Sequence, residues 1–322
     1  MIGLHDLERW AGGGGVKVAF CFPGQGSQDV GMGRAMAEQF PEARGVFDEA
    51  SEAAGFDVAR LCFQGPIEEL TQTELQQPAL VTTSLACLRA VETLGVRPDF
   101  VVGHSVGEYS ALGAADALSD RDAIALVSER GRATAEAAME HPGAMAAVLG
   151  LEDAVVEELC GGIANVWPAN YNCPGQIVVS VENAAVDRLI EAATAAGARK
   201  TVKLRVGGAF HSPLVGRAAD RLRPALESVR FQEPETPFMS TVTAQIESAD
   251  RLVDLLVQQL TGPVKFTQSV RGLDRQGVGM FVEIGSGQVL SGLIRRCDRS
   301  LRTISVGDPE SLRKLQETLS AA

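Results

Sequence analysis

Apolar positions along this chain follow two rhythms. Short, near-continuous apolar runs occupy residues 16–22, 99–102 and 280–284, and each runs into a glycine-bearing turn. Such runs suit strands buried on both faces, as in a parallel sheet. Between them the spacing is helical. In residues 77–94, Leu80, Val81, Leu85, Leu88 and Val91 recur at helical steps, and the pattern stops at Gly95. Residues 119–139 predict a long helix, with Ser119 as N-cap and Asp120 and Asp122 in its first turn. Further helices are predicted over 213–228, 249–260 and 288–296, and a last strand over 301–306.

From Pro142-Gly143 the pattern changes, and it changes back at Gly207-Gly208. Between these points come a strand at 144–149, a helix at 152–159, strands at 163–169 and 176–181, a helix at 183–196 and a strand at 199–204. The order β-α-β-β-α-β is ferredoxin-like. The expected fold is therefore α/β: an α/β-hydrolase-like parallel-sheet core from residues 16–142 and 207–322, with a small ferredoxin-like subdomain, 143–206, inserted into it. Residues 1–15 end in the glycine run 12–15 and read as a flexible lead-in.

Composition narrows the class. With 45% hydrophobic residues the chain can build a full core, yet no apolar run approaches the ~20 residues that span a bilayer. No secretory-type segment opens it. A net charge of −12 is the opposite of a nucleic-acid footprint. Cys21, Cys62, Cys87, Cys160, Cys173 and Cys297 are scattered without a C-x-x-C pair, and read as buried small hydrophobes in a reducing compartment. The expectation is a cytoplasmic monomer with no bound metal and no membrane or nucleic-acid partner.

Candidate chemistry centres on Gly103-His104-Ser105-Val106-Gly107, which fits the G-x-S-x-G nucleophile elbow between a predicted strand and a predicted helix. A serine hydroxyl needs a base. Of the four histidines, His5 lies in the lead-in, and His141 precedes a proline at the subdomain hinge and is expected to be exposed. His104 adjoins Ser105 but points elsewhere from an elbow. His211, in the turn-rich 207–213 segment, is the candidate base; a packed core histidine is the plainer alternative. The loop Pro23-Gly24-Gln25-Gly26-Ser27-Gln28 is neither a P-loop nor G-x-G-x-x-G. One of its backbone N–H groups, with that of Val106, can form an oxyanion hole; otherwise it is an ordinary strand-to-helix turn. Arg130 lies on the 119–139 helix beside Gly131, whose cost in a helix interior, ~1 kcal/mol, is tolerable where a ligand or another backbone comes close. At a pocket such an arginine can clamp a carboxylate through two hydrogen bonds; the default is a solvated helix arginine. Residues 170–176 read as a polar turn between subdomain strands, lining a cleft or merely closing a hairpin.

Together these blocks resemble the malonyl-CoA:acyl carrier protein transacylase family, which includes the acyltransferase domains of polyketide and fatty-acid synthases. The blocks are Phe22-Pro-Gly-Gln-Gly-Ser-Gln28, Gln77-Pro-Ala, Gly103-His-Ser-Val-Gly-Glu-Tyr-Ser-Ala-Leu112, Arg130-Gly, Gly143-Ala-Met-Ala, Asn170-Tyr-Asn-Cys-Pro-Gly-Gln176, Ala209-Phe-His-Ser-Pro213 and Gln259-Leu-Thr-Gly-Pro-Val264. They run in order over nearly the whole chain. The resemblance implies Ser105 as the acylated nucleophile, His211 as base, and backbone N–H groups of Gln25 and Val106 as oxyanion hole. It implies Arg130 on the malonyl carboxylate, and Gln259 at the main-chain carbonyl that orients the histidine in place of a triad acid. His104, Asn172 and Phe210 would line the substrate pocket, with Phe210 excluding an α-branched unit such as methylmalonyl. Gly207 and Gly208 depart from the family block, which often carries a histidine three positions ahead of Phe-His. The implied activity is ping-pong malonyl transfer from malonyl-CoA to the phosphopantetheine thiol of an acyl carrier protein, with no cofactor of the enzyme's own. The carrier protein would dock on a basic cluster, Lys200, Lys203 and Arg205 or Arg295, Arg296 and Arg299. Alternatives are a polyketide-synthase acyltransferase with another extender unit, a serine thioester hydrolase, or a non-catalytic carrier-binding subunit.

Overall fold

The structure, a computed structural model, describes residues 16–320; the lead-in expected over residues 1–15, with His5, lies outside them. Its strands are β1 (Lys17–Phe22), β2 (Phe100–Gly103), β3 (Gly143–Leu149), β4 (Val166–Cys173), β5 (Gln176–Glu182), β6 (Lys200–Lys203), β7 (Phe238–Ser240), β8 (Gln245–Glu247), β9 (Val278–Ile284) and β10 (Arg302–Val306). The larger sheet has the order β10-β9-β1-β2-β7-β8. All its neighbours pair in parallel except β8, which turns back antiparallel on β7.

The continuous apolar run of β1 follows from its central place. Val18, Phe20 and Phe22 pack into the core on one face, and Ala19 and Cys21 into a second core on the other. Alternate side chains of a strand point to opposite faces, so a strand covered on both sides has no polar position to offer. From β1 the chain goes to β2 on one side and returns through β9 on the other. The crevice beyond the carboxyl ends of strands at such a switch is where open α/β sheets hold their ligands.

The smaller sheet has the order β4-β5-β3-β6, antiparallel throughout, with the helices Asp153–Gly162 and Val186–Ala195 between its strands in the predicted β-α-β-β-α-β sequence. Here the period-2 alternation decides which face goes where. Ala144, Ala146, Val148, Ile177, Val179 and Val181 pack on those two helices. Met145, Ala147 and Val178 face the other way and join the core of the large sheet's helices. The small sheet thus forms a wall over the crevice, tied to it at Val264, whose N–H donates to Ala169 O and whose carbonyl accepts from Tyr171 N.

Several elements differ from the sequence reading. The helix expected from residue 77 runs Thr73–Glu92 and carries Pro78 inside it. Pro78 has no N–H for the Glu74 carbonyl. Gly131 of the Asp120–Glu140 helix lies against that spot: a Cβ there would meet Glu74 O at 3.1 Å. The odd glycine thus permits the approach of another backbone. Residues 170–173, expected in a turn, belong to β4. Tyr171 pairs with Ile177 and Cys173 with Gln176, so the turn shrinks to Pro174-Gly175. The sequence reading also passed over β7, β8 and the helices Phe266–Arg275 and Pro309–Ser320. Ser119 does cap the Asp120–Glu140 helix, accepting from Asp122 N at 3.0 Å.

Candidate active site

The elbow forms as its two glycines require. A Cβ on Gly103 would lie 2.1 Å from Gly107 C, and one on Gly107 would lie 2.2 Å from Phe22 O. No side chain fits at either place, and the chain can fold back tightly between β2 and the Gly107–Ala114 helix. Ser105 takes φ 53°, in the left-handed region. His211 is also left-handed, at φ 57°. Such conformations cost of order 1–3 kcal/mol each for non-glycine residues and persist only when the surroundings enforce them.

Both residues are buried, and Ser105 Oγ lies 2.8 Å from His211 Nε2. His211 Nδ1 lies 2.7 Å from the main-chain oxygen of Gln259 and 3.2 Å from that of Gly262. Carbonyl oxygens only accept, so Nδ1 carries the proton and Nε2 presents its lone pair to the serine. Among the described residues no carboxylate takes part in this orientation. Burial and the positive charge of Arg130 push the His211 imidazole down to about 3, so it is neutral around pH 7.

Arg130 is not a solvated helix arginine. It is 3% exposed, and its guanidinium reaches the nucleophile: Nη2 donates to Ser105 Oγ at 3.1 Å and to Gln259 Oε1 at 3.0 Å, while Nη1 donates to Gln77 Oε1. Its Nε–H is buried without an acceptor. Among the described residues no carboxylate forms a salt bridge with it, whereas the half-buried Arg89 pairs with both Glu92 and Asp120. A buried cation held only by neutral acceptors is costly. This one is aimed at the serine, and the nearby Glu108 carboxylate reaches it only through Gln259, so no anion contacts it among the described residues.

Most of the predicted residues line one cleft, while Arg130, Gln259 and Val106 are not in its lining and sit behind Ser105. Gln25, His104, Ser105, Asn172, Phe210 and His211 line it. His104 Nε2 bonds Asn172 Oδ1 at 2.9 Å, joining the elbow to β4, and the His104 ring packs against Phe266. Burial lowers the His104 imidazole below its ordinary value. The Phe210 carbonyl accepts from Ser180 Oγ of β5, which ties its main chain to the small sheet, and the phenyl lines the cleft. The Gln25 side chain donates to Gln76 Oε1 at 2.7 Å. The backbone N–H groups of Gln25 and Val106 have no protein acceptor among the described residues. His141 is exposed and lies apart from the cleft.

Three contributors escaped the sequence reading. Gln77 was visible only as a motif member, yet it holds Arg130 and in turn donates to Thr134 Oγ1 at 3.0 Å. Asn170 lines the cleft with a buried, unpartnered Oδ1. Glu108 is 0% exposed beneath the serine and bonds Gln259. A charged residue inside Gly107-Glu-Tyr-Ser-Ala-Leu-Gly-Ala114, a helix buried throughout, was the available signal.

A strained, buried serine on an elbow, paired with a neutral histidine and flanked by free N–H donors, is an arrangement suited to acyl transfer. The sequence comparisons agree. Residues 19–310 match the acyl transferase domain family, and the chain belongs to that family. It is 44% identical over 309 residues, 94% of this chain and 97% of the relative, to the malonyl CoA-acyl carrier protein transacylase of Bacillus subtilis (strain 168). It is 42% identical over 301 residues, 92% of this chain and 97% of the relative, to that of Escherichia coli (strain K12). Among solved structures, the malonyl CoA-acyl carrier protein transacylase of Coxiella burnetii superposes with TM-score 0.92 at 36% identity, covering 95% of this chain and 98% of its own. A malonyl-transacylase in complex with its type II PKS acyl-carrier protein superposes with TM-score 0.91 at 40% identity, covering 94% and 99%.

Proposed function

We propose that this acyltransferase moves a malonyl group from malonyl-CoA to the phosphopantetheine thiol of an acyl carrier protein, through an ester on Ser105 with His211 as base. The observation that carries the reading is Arg130, a buried cation bonded to the nucleophile and without an anion of its own. An acyl group ending in a carboxylate supplies that anion. An acetyl group leaves the guanidinium unpaired, and a site built for a charged partner rejects the analogue that lacks it.

The geometry accounts for each proton. His211 Nε2 takes the Ser105 hydroxyl proton as Oγ attacks the thioester carbonyl. The oxyanion points to the Gln25 and Val106 N–H groups. Collapse breaks the C–S bond, and the departing CoA sulfur takes the proton from His211. In the second half-reaction the carrier thiol gives its proton to His211 and attacks the ester carbonyl, and Ser105 recovers the proton as the C–O bond breaks. A malonyl carboxylate on Arg130 offsets the charge that depresses His211, so the bound substrate makes the base stronger for its own transfer. No enzyme-bound cofactor enters either half-reaction.

The cleft, about 130 Å³, is smaller than the ~300–1,000 Å³ of ordinary small-molecule sites, so it suits an acyl group on the end of an arm. Phe210 stands at its wall and excludes a branch at the acyl α-carbon by overlap. The half-exposed Val206 and Val289 line the mouth. Lys203 and Arg205 lie beside the first, and Arg295, Arg296 and Arg299 on the second valine's helix and just beyond it; all are exposed. An acidic carrier protein docked there would present its arm to the cleft. Transfer to a purified carrier protein, with malonyl-, methylmalonyl- and acetyl-CoA in competition, tests the proposal. Malonyl-carrier should dominate. Equal loading of all three, or hydrolysis without carrier loading, overturns it.

A further inference from the structure

Glu108 has no part in the chemistry above, yet it is the only carboxylate buried directly beneath the nucleophile among the described residues. It is 0% exposed at the start of the Gly107–Ala114 helix. One oxygen, Oε1, accepts from the Thr241 N–H and from Thr241 Oγ1 at 2.7 Å. The other, Oε2, accepts from Gln259 Nε2. The second hydrogen of that same Nε2 goes to the main-chain oxygen of Ser105 at 3.0 Å. With both amide hydrogens so committed, Gln259 Oε1 is turned to Arg130 Nη2 at 3.0 Å.

We infer that Glu108 is a positioning residue for acyl selectivity: its carboxylate locks the Gln259 carboxamide in the one orientation that holds Arg130 at Ser105. The argument is one of donors and acceptors. If the amide flipped, its oxygen would face the Glu108 carboxylate and the Ser105 carbonyl, all three acceptors, and its NH₂ would face the Arg130 guanidinium, all donors. Both sides of Glu108 meet donors, so only a group that accepts at both oxygens satisfies the pocket. A glutamine at 108 can accept at one side only, and sets an NH₂ against either Thr241 N or Gln259 Nε2. Fully satisfied buried networks hold a single arrangement, whereas a half-satisfied one loosens.

This inference rests on the malonyl-transfer reading, and the test separates the two. Wild type, Glu108→Gln, Gln259→Leu and the double variant are compared for malonyl and acetyl transfer to the same carrier protein. Wild-type preference for malonyl secures the reading itself; its absence sinks that reading, whatever Glu108 does. Given that preference, Glu108→Gln should lower the malonyl-to-acetyl ratio of kcat/KM at least tenfold, chiefly through KM for malonyl-CoA. In the Gln259→Leu background the same substitution should change the ratio by less than twofold, since the link it acts through is gone. A purely structural Glu108 would depress malonyl and acetyl transfer equally, or act equally in both backgrounds, and either result overturns the inference. If Glu108→Gln does not fold, Glu108→Asp, which keeps two acceptor oxygens but draws them back by one methylene, carries the same comparison. An unchanged ratio in that soluble variant also overturns it.

Discussion

The two walls of the cleft hold their side chains by different means. The wall at the ends of β1 and β2 is polar and cross-linked from behind: Ser105 and His211 line it, and Arg130, Gln77, Gln259 and Glu108 back them in one chain of hydrogen bonds. The opposing wall, from β3 and β5 with Phe210 beside them, is mostly apolar, with Met145, Val178 and Phe210 fixed by packing. In the first wall a displaced group leaves a buried donor or acceptor without a partner, which costs ~1–3 kcal/mol, and more where charge is involved. In the second, a displaced group only changes shape and volume. Under the proposed function this is a division of labour: the hydrogen-bonded wall would set which chemistry occurs and which charge is required, and the packed wall would set how bulky the acyl group is allowed to be. The His104–Asn172 bond is where one wall reaches the other.

The comparison can be broken from either side. The largest effect is expected in the polar wall. Arg130→Ala should reduce malonyl transfer about 100-fold or more, the scale set when one member of a buried charge pair is truncated. Acetyl transfer should rise relative to it. Steady-state kinetics with the two CoA esters check this, and an unchanged malonyl-to-acetyl ratio would remove Arg130 from its assigned role. A smaller effect belongs to the packed wall. Phe210→Ala should raise methylmalonyl transfer relative to malonyl by roughly 10–100-fold, the scale of a methylene in a hydrophobic pocket. If that ratio stays fixed while Arg130→Ala shifts the malonyl-to-acetyl ratio, size selection lies elsewhere than in this wall.

Much of this was legible in the sequence, for definite reasons. The elbow and its flanks are local in the sequence: Gly103 is bare because the backbone of Gly107 and Glu108 lies against it, although Gly107 itself answers to Phe22 of β1. His211 was legible by scarcity, because few histidines compete with it. The ferredoxin-like order was legible from the succession of short strands and helices between Gly143 and Gly207. What escaped depends on contacts distant in sequence. The strand character of residues 170–173 is hidden by asparagines, a proline and a glycine that all favour turns. It is settled by pairing with β5 and with Val264. For Arg130 the local pattern gives a solvated helix arginine and only the family resemblance points it at the substrate, because its own helix does not reveal that Gln77 and Gln259 hold it. Glu108 was visible as a charge in a fully buried helix, but its partners come from residues 241 and 259. The Phe266–Arg275 helix puts Phe266 behind His104, a contact no local pattern marks.

In the proposed reaction Ser105 carries the acyl group between two thiols. Incubating the protein with malonyl-CoA alone, then measuring intact mass and mapping the modified peptide, tests it most directly. The account predicts an added mass of one malonyl group on Ser105, its absence in Ser105→Ala, and its removal when carrier protein is added, with the malonyl group recovered on the carrier. No adduct on Ser105, or an adduct lost to water as fast as it forms, would contradict it.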